Sequence, residues 1–138
     1  MGIRTKSNLP VLVAGALLLV SALVLSLASG AFGAAKSTKV VVTAGKPSEL
    51  AFTLSKKSVP AGTVVFTVTN KGTLSHTFKL CSSAKGGKAN ACAGKVTKLI
   101  TPGHSAVLTV ALKKGTYEYL CTVPGHAAAG MKGDLKVT

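Results

Sequence analysis

Three side chains that can bind a metal recur at five-residue intervals near the end of the chain. Cys121, His126 and Met131 lie in a glycine-containing loop that follows a predicted strand. A thiolate and a thioether are soft ligands, and together with imidazoles they suit copper in both of its oxidation states. Two nitrogens, one thiolate and a weak axial sulfur make the trigonal arrangement of electron-transfer copper sites. The loop therefore predicts a site for one copper ion, Cu(I)/Cu(II), which still lacks its second histidine.

His76 is the candidate for that missing ligand. In the predicted strand from Leu74 to Leu80, the alternation puts His76 on one face with Leu74, Phe78 and Leu80, and Lys79 on the opposite, solvated face. An inward histidine near the start of a strand can reach a loop at the same end of a β-sandwich. Each candidate taken alone has a plainer reading, as a buried or hydrogen-bonded residue. Together, their types and spacing favour a metal site.

The remaining histidine, His104, follows Pro102-Gly103 in a predicted turn. We expect it to be exposed and not to bind metal.

The stretch from Val59 to Thr138 resembles the small blue-copper cupredoxins, the plastocyanin, azurin and auracyanin group. The similar segments are Ala61-Gly62-Thr63, Asn70-Lys71-Gly72 before His76, Pro102-Gly103, Gly115-Thr116-Tyr117-Glu118-Tyr119, Cys121-Thr122-Val123-Pro124-Gly125-His126 and Gly130-Met131-Lys132-Gly133. The resemblance implies that His76, Cys121 and His126 are equatorial copper ligands and that Met131 is the axial one. Several members of the group have Asn directly after the first histidine, where this chain has Thr77. We expect the Thr77 hydroxyl to do the same work less well.

The two other cysteines flank a low-complexity loop from Cys81 to Gly94. An odd number of cysteines in an oxidising compartment predicts one pair and one thiol that needs another role. A Cys81–Cys92 disulfide would close a small loop and contribute about 2–3 kcal/mol to stability in the chain-entropy account. The alternative is that both cysteines are further metal ligands, although Cys81 lies on the opposite strand face from His76.

The elements that must position these residues are short strands separated by Gly, Pro and Asn. In residues 63–69 and 106–112 alternate positions put apolar side chains on one face, and no amphipathic helix is recognisable from Lys39 onward. The pattern predicts an all-β fold, a Greek-key β-sandwich or barrel, and the resemblance implies that this fold is of the cupredoxin type. We expect this domain to occupy residues 36–138.

The first 35 residues carry an export signal. Arg4 and Lys6 precede an apolar run from Val11 to Leu27, and small residues follow it. The run is long for a signal peptide and close to the length that spans a bilayer. A cleaved signal peptide, cut after Gly33 or Ala35, and a retained membrane anchor therefore both remain open. Either one predicts an exported protein, in the periplasm or another extracytoplasmic location.

The charge of the domain bears on its partners. Without Arg4 and Lys6, fifteen lysines remain against Glu49, Glu118 and Asp134, a net charge of +12. Such a surface favours an acidic redox protein, such as a cytochrome or an oxidase domain, or an anionic membrane surface. The lysines are scattered and no arginine remains, so we expect no nucleic-acid partner. We also expect a monomer.

The leading functional prediction is an exported type 1 copper protein that carries single electrons between redox partners, with His126 as the electron port. A copper-handling protein for storage or delivery would use the same residues, although it would favour more methionines. We do not expect an enzyme, because multicopper enzymes of similar fold need several such domains and further histidines. An adhesive β-sandwich without metal would leave the Cys-His-Met spacing unexplained.

Overall fold

Nine strands make up the part of the chain that the computed structural model describes, residues 2, 36–82 and 92–138. They are β1 (Thr38–Ala44), β2 (Phe52–Leu54), β3 (Ser58–Val59), β4 (Gly62–Asn70), β5 (Lys79–Cys81), β6 (Gly94–Val96), β7 (Ser105–Leu112), β8 (Gly115–Leu120) and β9 (Lys132–Val137). None of the described residues forms a helix. The all-β prediction is therefore confirmed for this part of the chain.

The strands form two sheets. The first has four strands in the order β2-β1-β4-β7, and the second has five in the order β3-β9-β8-β5-β6. β1 runs parallel to β4 with Val40 opposite Phe66, whereas β4 and β7 are antiparallel with Phe66 opposite Leu108. The two-sheet sandwich follows from this pairing.

The predicted alternation fixes which side of each strand is buried. Val64, Phe66 and Val68 of β4 are fully buried, while Thr67 between them is exposed. On β7, Leu108 and Leu112 face the core, as the alternation predicted. A one-residue shift in strand pairing would expose these apolar side chains to solvent, so the register is strongly specified.

Aromatic rings join the two sheets near the site. The Phe78 ring lies edge-on to Phe52, with centroids 5.2 Å apart, and stacks on Tyr119 at 5.5 Å. Aromatic pairs in these geometries contribute about 0.5–1.5 kcal/mol beyond the area that they bury. Because Phe78 is two residues from His76, this packing fixes the chain on which the histidine is carried.

Asn70 organises the end of the sandwich where the site forms. Its fully buried side-chain amide donates hydrogen bonds to the carbonyls of Leu74 (2.7 Å) and Ile100 (2.8 Å), and its oxygen accepts one from the Gly72 N–H (2.9 Å). A buried amide with all these groups satisfied holds two loops in one arrangement. The turn predicted at Asn70-Lys71-Gly72 thus becomes part of the support for His76.

The strand predicted from Leu74 to Leu80 is shorter than expected. Only Lys79–Cys81 is paired as a strand, and His76 forms an isolated bridge to Ile100. Phe78 and Leu80 are buried with His76, but Leu74 is 48% exposed. The prediction that Leu74 shares the buried face is wrong, because the Asn70 and Glu49 hydrogen bonds hold the backbone at residues 72–74 in a turn.

The segment predicted as signal or anchor, 1–35, lies outside the described residues apart from Gly2, and so does most of the loop between Cys81 and Cys92. Among the residues that the structure describes, no helix is long and apolar enough to cross a membrane.

Candidate metal centre

Cys121 follows directly on the end of β8 and is almost completely buried. It is the free thiol among the three cysteines. Its Sγ accepts a hydrogen bond from the Thr77 N–H at 3.4 Å, and its own N–H donates to the Met131 carbonyl at 3.0 Å. These two hydrogen bonds fix the position of the sulfur and of the backbone that carries it.

The loop between Cys121 and Met131 closes on itself and so brings its predicted ligands together. The His126 N–H donates to the Val123 carbonyl (3.1 Å), and the Met131 N–H donates to the His126 carbonyl (2.9 Å). Gly125 has φ +83° and lies in the first of these turns, a backbone conformation that side chains other than glycine rarely adopt. Hydrogen-bonded turns thus connect the candidate ligands, which lie five residues apart in the chain.

His76 reaches the same point from the other side of the site. Two backbone hydrogen bonds with Ile100, of 3.0 and 2.7 Å, fix its main chain, and its side chain is fully buried. Its Nδ1 lies 3.2 Å from the Nδ1 of His126, which in turn lies 3.6 Å from the Cys121 Sγ. The structure therefore brings together His76, Cys121 and His126, as the sequence predicted.

The spacing of these three donor atoms suits one metal ion. All of them lie within 4.8 Å of one another, and they form the one His/Cys/Asp/Glu cluster of this kind found in the described residues. Donors that surround a first-row metal at about 2.0–2.3 Å and at trigonal angles are roughly 3.5–4 Å apart. The soft thiolate with two imidazoles matches the donors of electron-transfer copper sites. The donor set and its spacing fit copper.

Met131 lies next to this cluster. Its side chain is fully buried and packs with Cys121 and Ala44 in a small apolar group, against which Leu50, Phe52 and Val123 also pack. A buried thioether beside the thiolate is compatible with the predicted axial role. That role stays a prediction.

Thr77 takes part in the site at the position where several members of the similar group have Asn. Its hydroxyl accepts a hydrogen bond from the Thr122 N–H at 2.8 Å and lies 3.8 Å from the Cys121 Sγ. Thr77 therefore ties the segment that carries His76 to the start of the ligand loop with both its backbone and its side chain. The alternation predicted that Thr77 and Lys79 share a solvated face. Thr77 is buried, so this prediction is wrong at Thr77.

Glu49 also belongs to the site, although no motif or periodicity in the sequence indicates it. One of its oxygens, Oε1, lies 2.9 Å from the Nε2 of the His76 ring. Hydrogen bonds from the backbone N–H groups of Thr73 and Leu74, and then the one from His76, lower the pKa of Glu49 to about 2. The only available signal was its rarity, because no other acidic residue precedes Glu118.

His126 is the more exposed of the two histidines. It is half-buried, and Pro124 and Ala128 in the same loop are exposed. Its partial burial, followed by the proximity of His76, lowers its pKa, which favours the neutral imidazole that a metal requires.

The two remaining cysteines and the third histidine lie outside the metal cluster. Cys81 and Cys92 form a disulfide with a Cα–Cα distance of 5.5 Å, so the alternative that they are metal ligands is wrong. His104 is exposed, and its Nδ1 is 3.0 Å from the Thr101 hydroxyl, outside the metal cluster.

A β-sandwich that brings a buried free cysteine together with two histidines at one end is typical of a cupredoxin. Residues 38–138 match the family described as copper-binding proteins of the plastocyanin/azurin type, and the chain belongs to this plastocyanin/azurin family. The family binds copper, and the His76, Cys121 and His126 cluster is where this chain would hold one ion.

Similar proteins include auracyanin-B of Chloroflexus aurantiacus, which is 35% identical over 115 residues. That match covers 67% of this chain and 49% of auracyanin-B, so the chain spans about half the length of this relative. The solved structure of auracyanin B has a TM-score of 0.62 at 29% identity and covers 73% of this chain and 88% of its own. Rusticyanin from Thiobacillus ferrooxidans has a TM-score of 0.60 at 26% identity, covering 75% and 78%.

Proposed function

We propose that this protein is an exported one-electron carrier. His76, Cys121 and His126 would hold its copper, and Met131 would be a further, weaker ligand. The convergence of the three donor atoms, all within 4.8 Å of one another in a largely buried site, carries the proposal. A copper ion held there would supply reversible one-electron redox chemistry.

The protein residues would keep the donors in one arrangement in both redox states. The His76 backbone is fixed by paired bonds to Ile100, and the Thr77 N–H is directed at the Cys121 sulfur. A close-packed surround resists rearrangement, so that little needs to move when an electron arrives or leaves. This rigidity favours an electron carrier.

His126 would be the electron port. It is the only half-buried member of the cluster, whereas His76 and Cys121 are buried. Pro124 and Ala128, two positions before and after it in the loop, are exposed and could contact a partner closely. Small, weak contacts of this kind suit transient redox encounters.

The alternative of copper storage or delivery is less well supported by the burial of the site. A delivery site must hand its ion to a partner, which requires several exposed ligands. Here His76 and Met131 are fully buried and Cys121 is nearly so, which favours retention of the ion.

The charges suggest two kinds of anionic partner. At the site end, Lys46 follows β1 and Lys71 follows β4, where they could steer an acidic redox protein such as a cytochrome or an oxidase domain. At the opposite end, where β1 and β4 begin, an anionic membrane surface could bind the exposed lysines Lys36, Lys39, Lys56, Lys57, Lys113, Lys114 and Lys136. Export, a monomeric state and these partners are parts of the proposal.

Copper binding is tested first. Addition of one equivalent of Cu(II) should give an intense thiolate-to-copper absorption in the visible, and Cys121→Ser should abolish it. Cys81 and Cys92 are already paired, so the wild-type protein should retain one titratable thiol before copper is added. A colourless wild-type protein, or a Cys121→Ser variant that stays blue, would refute the copper site.

Electron transfer is tested separately by stopped-flow kinetics. Ala128→Glu should slow electron transfer to an acidic cytochrome about tenfold or more without changing the copper spectrum, because it places a negative charge beside His126. Val107→Glu is the matched control, since Val107 is 63% exposed on the outer face of the other sheet. The wild-type rate should also fall as salt is raised, since the Debye length is only about 8 Å at physiological ionic strength. Equal rates for both variants would argue against the His126 port.

A further inference from the structure

The Glu49 carboxylate is surrounded by hydrogen-bond donors from the segment that leads to His76. Its Oε2 accepts from the Thr73 N–H and the Thr73 hydroxyl, each at 2.9 Å, and its Oε1 accepts from the Leu74 N–H at 2.9 Å. A further contact, also 2.9 Å, joins Oε1 to the Nε2 of His76. The carboxylate thus contacts both the backbone at residues 73–74 and the His76 ring that follows it.

We propose that Glu49 is a positioning residue for the metal, one that fixes the His76 ring and tunes the copper through it. The inference rests on the proposed copper site and adds a residue that does not contact the ion. A neutral imidazole carries one proton on its two nitrogens, and a carboxylate that accepts from Nε2 holds the proton there. The Nδ1 lone pair is then left facing His126 and Cys121.

The absence of a side chain at Gly72 leaves room for the Glu49 carboxylate. A Cβ atom on Gly72 would overlap the Glu49 carboxylate group, so even an alanine there would displace it. Asn70 in turn holds the Gly72 N–H at 2.9 Å. Because glycine and the buried amide together leave room for the carboxylate, its position is specified by the surrounding chain.

The contact with His76 distinguishes a tuning role from a purely structural one. The bonds to Thr73 and Leu74 would be enough to fasten the loop. The His76 ring, however, is fully buried, and the Glu49 side chain is 31% exposed. The carboxylate therefore lies between the ring and solvent, and its charge reaches the site through the imidazole. Carboxylates behind metal-binding histidines make the ring a better electron donor and commonly change metal affinity by roughly 10–100-fold.

The charge also predicts the direction of the redox effect. An anionic group behind a ligand favours the more highly charged ion, Cu(II), over Cu(I). Removal of that charge should therefore raise the reduction potential. It should also weaken Cu(II) binding more than Cu(I) binding.

The test compares Glu49→Gln with Asp134→Asn in the full chain. Both variants remove one negative charge, but Asp134 is exposed on β9 opposite Glu118 and outside the metal cluster. Glu49→Gln should lower Cu(II) affinity, measured by competition with a chelator, by roughly 10–100-fold and should raise the potential. Asp134→Asn should change both much less. If Glu49→Gln alters only the urea midpoint of the metal-free protein, or shifts the potential no more than Asp134→Asn does, Glu49 merely fastens the loop and the proposal is wrong.

A measurement on the wild-type protein covers the case in which Glu49→Gln fails to fold. In the diamagnetic Cu(I) form with ¹⁵N-labelled histidine, NMR should show His76 protonated at Nε2, with slow exchange of that proton. A proton on Nδ1, or copper on Nε2, would overturn the inference. If the wild-type protein binds no copper at all, the proposed function has failed, which is a different result from a copper protein that is indifferent to Glu49.

Discussion

The two histidines of the site are held in contrasting ways. His76 has its backbone bonded to Ile100, its ring bonded to Glu49 and no exposed surface. His126 lies in a loop of turns, half-buried, and its backbone bonds are made within that loop. The inner side of the site, built around His76, is fixed by the rest of the fold, and the outer side, the loop 121–131, meets solvent. A site divided in this way can hold one geometry and still be reached from outside.

The largest effect that would test this contrast comes from removing each imidazole in turn. His76→Gly and His126→Gly should both lose the visible absorption of the copper protein. Added imidazole at millimolar concentration should restore the absorption in His126→Gly, because the cavity left by His126 opens to solvent. It should not restore the absorption in His76→Gly, because the cavity left by His76 is enclosed.

The measurement is the absorption spectrum of each variant with one equivalent of Cu(II), titrated with imidazole. Circular dichroism of the metal-free variants serves as the folding control. Recovery in both variants, or in His76→Gly alone, would contradict the division into inner and outer sides.

The same division separates what the sequence could predict from what it could not. The outer side is local, so its residues lie within eleven positions and the spacing of Cys121, His126 and Met131 could be read directly. Strand alternation also predicted the buried faces of β4 and β7, because one face of each strand must avoid water.

The inner side depends on contacts between residues far apart in the chain. Glu49 lies 27 positions before His76, and no periodicity links them. The turn at residues 72–74, which exposes Leu74, is imposed by the Asn70 and Glu49 bonds and not by the local alternation. Strand parity placed His76 correctly, but only the fold could show what holds it.

A second test concerns the support of the outer side. Cys81 packs with Leu120 and Ala127 in a small cluster, against which Cys92 also packs, so the disulfide lies under the residue that follows His126. A double variant, Cys81→Ser with Cys92→Ser, should lower the free energy of unfolding by about 2–3 kcal/mol, the value expected for a short closed loop. Urea unfolding of the metal-free protein measures this loss.

The copper spectrum of that variant sharpens the comparison. The double variant should keep the position of the visible band, because the copper ligands are unchanged. It should bind copper somewhat more weakly, because the ligand loop 121–131 is less well supported. A variant that loses the band altogether would mean that the disulfide positions the ligands themselves. Unchanged stability would mean that the bridge does not contribute measurably to the free energy of unfolding.

The smallest effect is expected at Met131, which belongs to the loop of the outer side but is as deeply buried as His76. Leucine has a similar volume, and such exchanges in a core usually cost less than about 1.5 kcal/mol, so Met131→Leu should fold. If Met131 is a long, weak axial ligand, the variant should keep its blue colour while the reduction potential rises, because the axial group tunes the potential of such sites. A rise of about 59 mV would correspond to a tenfold change in the preference for Cu(I) over Cu(II), and potentiometric titration resolves less than that. Loss of copper from Met131→Leu would show that the thioether is a primary ligand and that the outer side contributes three strong donors. An unchanged potential would show that Met131 only packs against Cys121, and the two histidines and the thiolate would then be the whole site.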